Sequence, residues 1–292
     1  MKKVLIAGVT GYLGKFVLHE FKKQGYWVRA LVRNSTKLDS LNGYYKDIDE
    51  VFIGEVTNPS SIKEVCKDID IVFSSVGITK QKDNLTYMDV DYQANKNLLE
   101  EAVKEGVSKF IYISVFNAGK LNHLKGIEAK LRFEKELKES GLDHSIIYPN
   151  GFFSDMLEYI NMAQSGRGYV FGSGEYRINP IHGQDLAQVC VTAATEKTRS
   201  ISVGGPDTVT HNEILKMAFK AFDKNEKISK IPIWLRNLLL VVLRTCTSVK
   251  IYGPLEFFMT VLAVDMVAPE YGTRHLKDFF LESANNASDS MI

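Results

Sequence analysis

The sequence predicts an α/β fold, a Rossmann-like doubly wound parallel sheet with a smaller C-terminal substrate lobe, and two observations predict it. An apolar strand at residues 3–7 runs straight into Gly8, Gly11 and Gly14, spaced GxxGxxG ahead of a helix over 12–24. Strand-like and helix-periodic segments then alternate through the first half of the chain, the pattern of a parallel sheet covered by helices on both faces.

The glycine run marks a dinucleotide site. Gly8 allows a tight turn, Gly11 lets backbone amides approach a pyrophosphate, and Gly14 lets the helix pack closely on the strand. With Thr10, Tyr12 and Leu13 these residues form the loop and the first helical turn, whose positive end faces the phosphates. A second strand over 26–33 completes a unit of βαβ length. It ends on Arg33-Asn34-Ser35, where an NAD-specific site usually carries an acid for the ribose 2′-hydroxyl. A guanidinium fork matches a phosphate instead, so Arg33 favours NADP(H) over NAD(H).

Further along, the pattern predicts strands over 51–54, 69–75, 110–115 and 145–148. Helices are expected over 59–67, over 91–105 ending at Gly106, and over 126–140. Another helix starts at 182–185, with Asp185 favourable near its N-terminus and His182 in a structural role. Thr210 and Glu213 form a capping box ahead of a helix over 214–222.

At 292 residues and 45% hydrophobic content, the chain is long enough for one large core or a core plus a lobe. We expect one extended domain over 1–282, with a cofactor half to about residue 150 and a substrate lobe from 151–175 and 205–280. The polar tail over 283–292 is expected to be flexible. A net charge of +1 gives no electrostatic footprint for nucleic acid. Cys66, Cys190 and Cys246 are odd in number and lack CxxC spacing, which suits reduced core thiols and neither a disulfide frame nor a metal site. The opening strand at the N-terminus sets a cytoplasmic location as the expectation.

These residues also carry a family resemblance. The run 8–14, Gly54-Glu55-Val56-Thr57-Asn58-Pro59, Ser74-Ser75-Val76-Gly77, Ile113-Ser114 and Tyr148-Pro149-Asn150-Gly151-Phe152-Phe153 resemble the atypical, NmrA-like branch of the short-chain dehydrogenase/reductase superfamily. Phe171-Gly172-Ser173-Gly174, Pro180-Ile181-His182, Gly204-Gly205-Pro206 and Tyr271-Gly272-Thr273-Arg274 are similar to its divinyl chlorophyllide reductase subgroup. The resemblance implies that Ser74, Ser75, Val76 and Gly77 lie beside the ribose, and that Pro149, Asn150, Gly151 and Phe152 line the nicotinamide side. It also implies that Ser114 orients a substrate oxygen and that Lys130 binds the nicotinamide ribose and serves proton transfer. The superfamily's Tyr, four positions before that Lys, is replaced by Gly126. A proton would then come from Lys130, from a neighbour such as His123 or Tyr112, or from water. Two readings remain: an oxidoreductase acting on a hydrophobic small molecule with a carbonyl or conjugated double bond, or a non-catalytic NADP(H)-binding regulator or assembly subunit.

Within 231–268, the segment 231–244 is apolar almost all round and 254–268 adds a second apolar stretch, yet the first has only six uninterrupted apolar residues between Asn237 and Arg244, and neither is long enough to span a bilayer. Three uses are open. A buried helix pair is the first, a greasy substrate pocket the second, and a membrane-surface contact with Arg236, Arg244 and Lys250 near the headgroups the third.

Overall fold

The computed structural model describes residues 1–78 and 84–289. Its strands in chain order are β1 (Lys3–Ala7), β2 (Trp27–Val32), β3 (Glu50–Ile53), β4 (Ile71–Ser74), β5 (Lys109–Ile113), β6 (Asp143–Pro149), β7 (Gly168–Phe171), β8 (Arg177–Ile178), β9 (Ser200–Val203), β10 (Val209–Thr210) and β11 (Ile228–Ile231). Its α-helices are α1 (Tyr12–Lys23), α2 (Asn95–Lys104), α3 (Lys125–Glu139), α4 (Leu157–Gln164), α5 (Gly183–Thr192), α6 (His211–Ala221), α7 (Ile233–Cys246), α8 (Val249–Val261) and α9 (Leu276–Asp289). Two compact units result: residues 1–148 with 186–201, and residues 149–185 with 202–292.

The first unit is built on a seven-stranded sheet in the order β3-β2-β1-β4-β5-β6-β9, with parallel pairing from β3 through β6. Side chains alternate across it. Leu5, Ala7, Val72, Phe110, Tyr112 and Ile146 face one side, where they pack with Leu98, Leu99 and Ala102 of α2 and Phe133 and Leu137 of α3. On the other face α1 lies against β1 and β2 and buries Leu13, Val17, Leu18 and Phe21. Strand order reverses between β1 and β4, so the crevice at their carboxyl ends is the switch point where such sheets hold ligands.

Local chemistry departs from expectation in three places. Over 59–67 only the 3-10 turn Pro59–Ile62 forms, because Glu64 is left-handed at φ 63° and its amide goes to Glu101 Oε2 at 3.0 Å. The helix expected from 91 starts as a wide π-turn, Met88–Ala94, at whose end Asn95 Nδ2 bonds the carbonyls of Val90, Asp91 and Val76. The segment 283–289, expected to be flexible, continues α9: Phe280 anchors the helix in the core and Ser283 Oγ donates to Phe279 O at 2.7 Å. Residues 290–292 of that tail lie outside the described residues.

In the second unit β8 pairs antiparallel with β10, β7 pairs parallel with β11, and α4, α6 and α9 pack in sequence. The capping box at the start of α6 forms, with Thr210 Oγ1 accepting the Glu213 amide. Asp185 is buried, and its carboxylate receives the Thr273 and Arg274 amides and the Arg274 guanidinium. His182 Nδ1 takes the Gln184 amide at 3.1 Å, a structural contact.

α7 and α8 pack together, but they are not the buried pair that stood first among the expectations. Only Leu240 of α7 is buried. No described helix is long and apolar enough to cross a membrane. Cys66 and Cys190 are core thiols, whereas Cys246 is exposed at the end of α7.

Candidate functional site

A cavity of about 360 Å³ opens at the switch point of the first unit. Its lining includes Gly8, Thr10 and Gly11 after β1, Arg33 and Lys37 after β2, Glu55 after β3, and Ser75, Val76 and Gly77 after β4. Sequence reasoning had placed seven of these side by side, Gly8, Thr10, Gly11, Arg33, Ser75, Val76 and Gly77. It missed Lys37 and Glu55, which only strand order brings to the same rim.

The glycines are required sterically. Gly8 sits at φ +93°, and a Cβ there would fall 2.6 Å from Ser75 Oγ. A Cβ at Gly14 would overlap the Gly8 carbonyl, 2.1 Å away. The Gly11 amide closes the turn onto Gly8 O at 2.9 Å, and no side chain caps α1. Gly11 at the N-cap has no side chain to place over the first turn of α1, so the approach to its amides from the cavity side stays open to an anion. Tyr12 stacks edge-on with Phe16, and Leu13 is core. Arg33 lies on the cavity wall with Nε 3.8 Å from Glu55 Oε2.

Behind the β4 loop stands a buried charged group. Lys130 Nζ, one turn into α3, lies 3.2 Å from Asp91 Oδ1 and donates to Tyr112 OH at 3.4 Å. Asp91 Oδ2 accepts the Ile78 amide at 3.1 Å, which ties this pair to the loop. Gly77 keeps the space open, because a Cβ there would come 2.7 Å from Asp91 Oδ1 and 3.2 Å from Lys130 Nζ. Burial works against the Lys130 charge, but the Tyr112 and Asp91 oxygens outweigh it and hold its pKa above the ordinary lysine value. Burial pushes the Tyr112 phenol up to about 12, with Lys130 opposing. Burial also raises the Asp91 carboxyl, against the pull of Lys130 and the Ile78 amide. At neutral pH Lys130 is an ammonium and Tyr112 a neutral phenol.

The two serines do other work than expected. Ser74 Oγ is buried and donates to Asn95 Oδ1 at 2.6 Å, pinning the end of β4 to α2 and leaving no hydrogen for a ribose. Ser114 Oγ is buried too and donates at 2.6 Å to Glu134 Oε1, one turn beyond Lys130. Glu134 also accepts Tyr148 OH at 2.8 Å and Lys138 Nζ at 3.2 Å. A hydroxyl has one proton to give, and here it points at a carboxylate, so Ser114 does not orient a substrate oxygen by donation in this arrangement. Gly126 has the Tyr87 ring beside it, 3.2 Å from where a Cβ would stand, so a phenol in the superfamily's position would meet that ring. His123 is exposed.

Pro149, Asn150, Gly151 and Phe152 belong to the second unit. Asn150 is spent on it: Nδ2 donates to Asn179 Oδ1 and Met266 O, and Oδ1 accepts the Gly151 amide. Asp91, Asn95 and Glu134 were absent from the sequence-based site. Helical spacing could have signalled Glu134, which follows Lys130 by four residues.

A glycine-cornered crevice at the switch point of a parallel sheet, with an uncapped helix aimed into it, defines a dinucleotide-binding Rossmann-type protein. Residues 8–197 match the NAD(P)H-binding family model, and the chain belongs to that family. Its fold and relatives are those of an atypical short-chain dehydrogenase/reductase. It is similar to the chloroplastic divinyl chlorophyllide a 8-vinyl-reductase of Arabidopsis thaliana, 27% identical over 95% of this chain and 75% of that protein. It is also similar to the photosystem II assembly factor Ycf39 of Guillardia theta, 25% identical over 80% of this chain and 74% of the factor. Among solved structures, a nucleoside-diphosphate-sugar epimerase from Staphylococcus aureus shares the fold with a TM-score of 0.72 at 17% identity, covering 96% of this chain and 100% of that one.

Proposed function

We propose that this protein is an NADP(H)-dependent oxidoreductase that transfers hydride to or from a hydrophobic small molecule carrying a carbonyl or a conjugated double bond. The observation that carries the reading is a cavity with Arg33 and Lys37 on its wall and Lys130 directly behind Gly77 of its lining. Two cations suit a 2′-phosphate better than a bare ribose hydroxyl. The bound nicotinamide would supply the hydride. This chain's residues supply the rest. The uncapped first turn of α1 receives the pyrophosphate, and Lys130 holds three protons at Nζ. Asp91 and Tyr112 engage two of these, which leaves one for a ribose hydroxyl or for transfer to the reduced substrate. The similarity to a vinyl-reductase favours reduction of a C=C bond and makes a vinyl-bearing tetrapyrrole the first substrate to try.

The test follows NADPH oxidation by absorbance with a panel of apolar enones, quinones and a divinyl chlorophyllide. Turnover is expected with at least one, and Lys130→Met should abolish it while NADPH still binds through the backbone amides of α1. A second reading, a cofactor-holding assembly subunit, is favoured by the Ser114 proton being spent on Glu134 and by the similarity to Ycf39. Stoichiometric cofactor binding with no turnover across the panel would select it and reject the first.

A further inference from the structure

α7 is amphipathic the wrong way round for a helix in water. Val241, Trp234, Thr245, Leu238, Val242, Leu235, Cys246 and Leu239 share one arc of roughly 160° at 100° per residue, and every one of them is exposed. That arc bears no charge. The two arginines lie off it and are turned to the protein, Arg236 Nη1 donating to Met259 O and Arg244 pairing with the buried Glu256. Ile251 and Leu255 of α8, the helix packed on α7, are exposed as well, so eight large side chains between 234 and 255 are 41–67% exposed. Contiguous patches of this kind mark interaction surfaces in soluble proteins.

Charge identifies the occupant. Between the exposed Glu226 and the buried Glu256, which pairs with Arg244, the chain carries Lys227, Lys230, Arg236, Arg244 and Lys250 and no Asp or Glu. Lys227 and Lys230, both exposed, lie on or beside β11, just ahead of Trp234 at the start of α7. A second copy docking face to face would set one basic rim against the other, whereas an anionic lipid surface complements both the rim and the apolar arc. The 14 residues of α7 make a rod about 21 Å long, too short to cross the hydrocarbon but suited to lying in the interface.

We propose that α7 and α8 form a peripheral membrane-docking hairpin, with the Trp234–Leu238–Leu239–Val242 face dipping into an anionic leaflet and Lys227 and Lys230 at the headgroups. This is independent of the cofactor chemistry. The full chain is floated with vesicles of phosphatidylcholine alone or mixed with phosphatidylglycerol, at low and high salt, and Trp234 emission is followed with bromine-labelled lipid in a Trp27→Phe background. Binding is expected only to the anionic vesicles, weakened by salt, with Trp234 blue-shifted and quenched by bromine near the headgroup end of the acyl chain. Leu238→Glu/Leu239→Glu alters two residues already exposed, so its NADPH affinity and circular dichroism should match the parent while vesicle binding falls at least about tenfold. Lys227→Glu/Lys230→Glu should remove the preference for anionic lipid. Absence of flotation, flotation untouched by the paired glutamates, or a lipid-free dimer that buries Trp234 would overturn the proposal.

Discussion

Asp91→Asn takes one charge out of a buried pair and leaves its shape almost unchanged. Oδ1 stands 3.2 Å from Lys130 Nζ, Oδ2 accepts the Ile78 amide, and both side chains are largely out of water. At that separation an effective dielectric of about 20 gives an attraction of about 5 kcal/mol, of which desolvation cancels a large part. Removing one partner strands the other, and such losses run to about 3–5 kcal/mol. Asp91→Asn and Lys130→Met should each lower unfolding stability by about 3 kcal/mol, and the double variant by little more than either, a coupling of about 3 kcal/mol. The pH response separates the singles. In Lys130→Met the Asp91 carboxyl, already raised by burial, loses its ammonium and rises further. The folded state then binds a proton that the unfolded state has released, so stability must fall as pH rises above the ordinary carboxyl range. Asp91→Asn has no such carboxyl and should lack that slope. Urea unfolding of the four proteins across mildly acidic to neutral pH measures both effects. Additive singles, or a Lys130→Met protein whose stability does not fall with rising pH, would refute the account of a coupled buried pair.

Arg33→Ala should weaken NADPH binding by about ten- to a hundredfold, the loss of one charge-assisted phosphate contact, and leave NADH nearly unchanged; titration calorimetry with both cofactors checks it, and equal affinities in the unmodified protein would reject the assignment. His211 is buried with Nδ1 2.7 Å from Tyr159 OH, and burial lowers its pKa to about 4. Below the ordinary value of 6.5 the unfolded chain takes up a proton that the fold refuses, so as pH falls from 6.5 to 4 this group withdraws about 3 kcal/mol of stability. His211→Phe should flatten that part of the stability–pH curve, although Tyr159 then lacks its partner; an unchanged acid slope on thermal or urea unfolding would mean that other groups produce it.

The glycine turn was readable because its demands are local. Gly8 must reach positive φ, and Gly14 must let α1 approach the Gly8 carbonyl, and both are satisfied within seven residues. Arg33 was readable for a similar reason, since it lies at the end of the strand that completes the first βαβ unit. The alternation of short continuous apolar runs with helix-periodic segments likewise determined a parallel sheet with helical cover, because strands buried on both faces, as β1, β4 and β5 are, need apolar residues at nearly every position. Tertiary structure decided what long-range contact alone can decide. Asp91 and Lys130 lie far apart in sequence and meet only because the π-turn that carries Asp91 packs against α3, and Glu134 captures the Ser114 proton that the resemblance assigned to a substrate. The apolar run over α7 could not announce its own exposure, because a sequence records which residues would gain from leaving water and only the packed chain determines which of them find protein to leave it for.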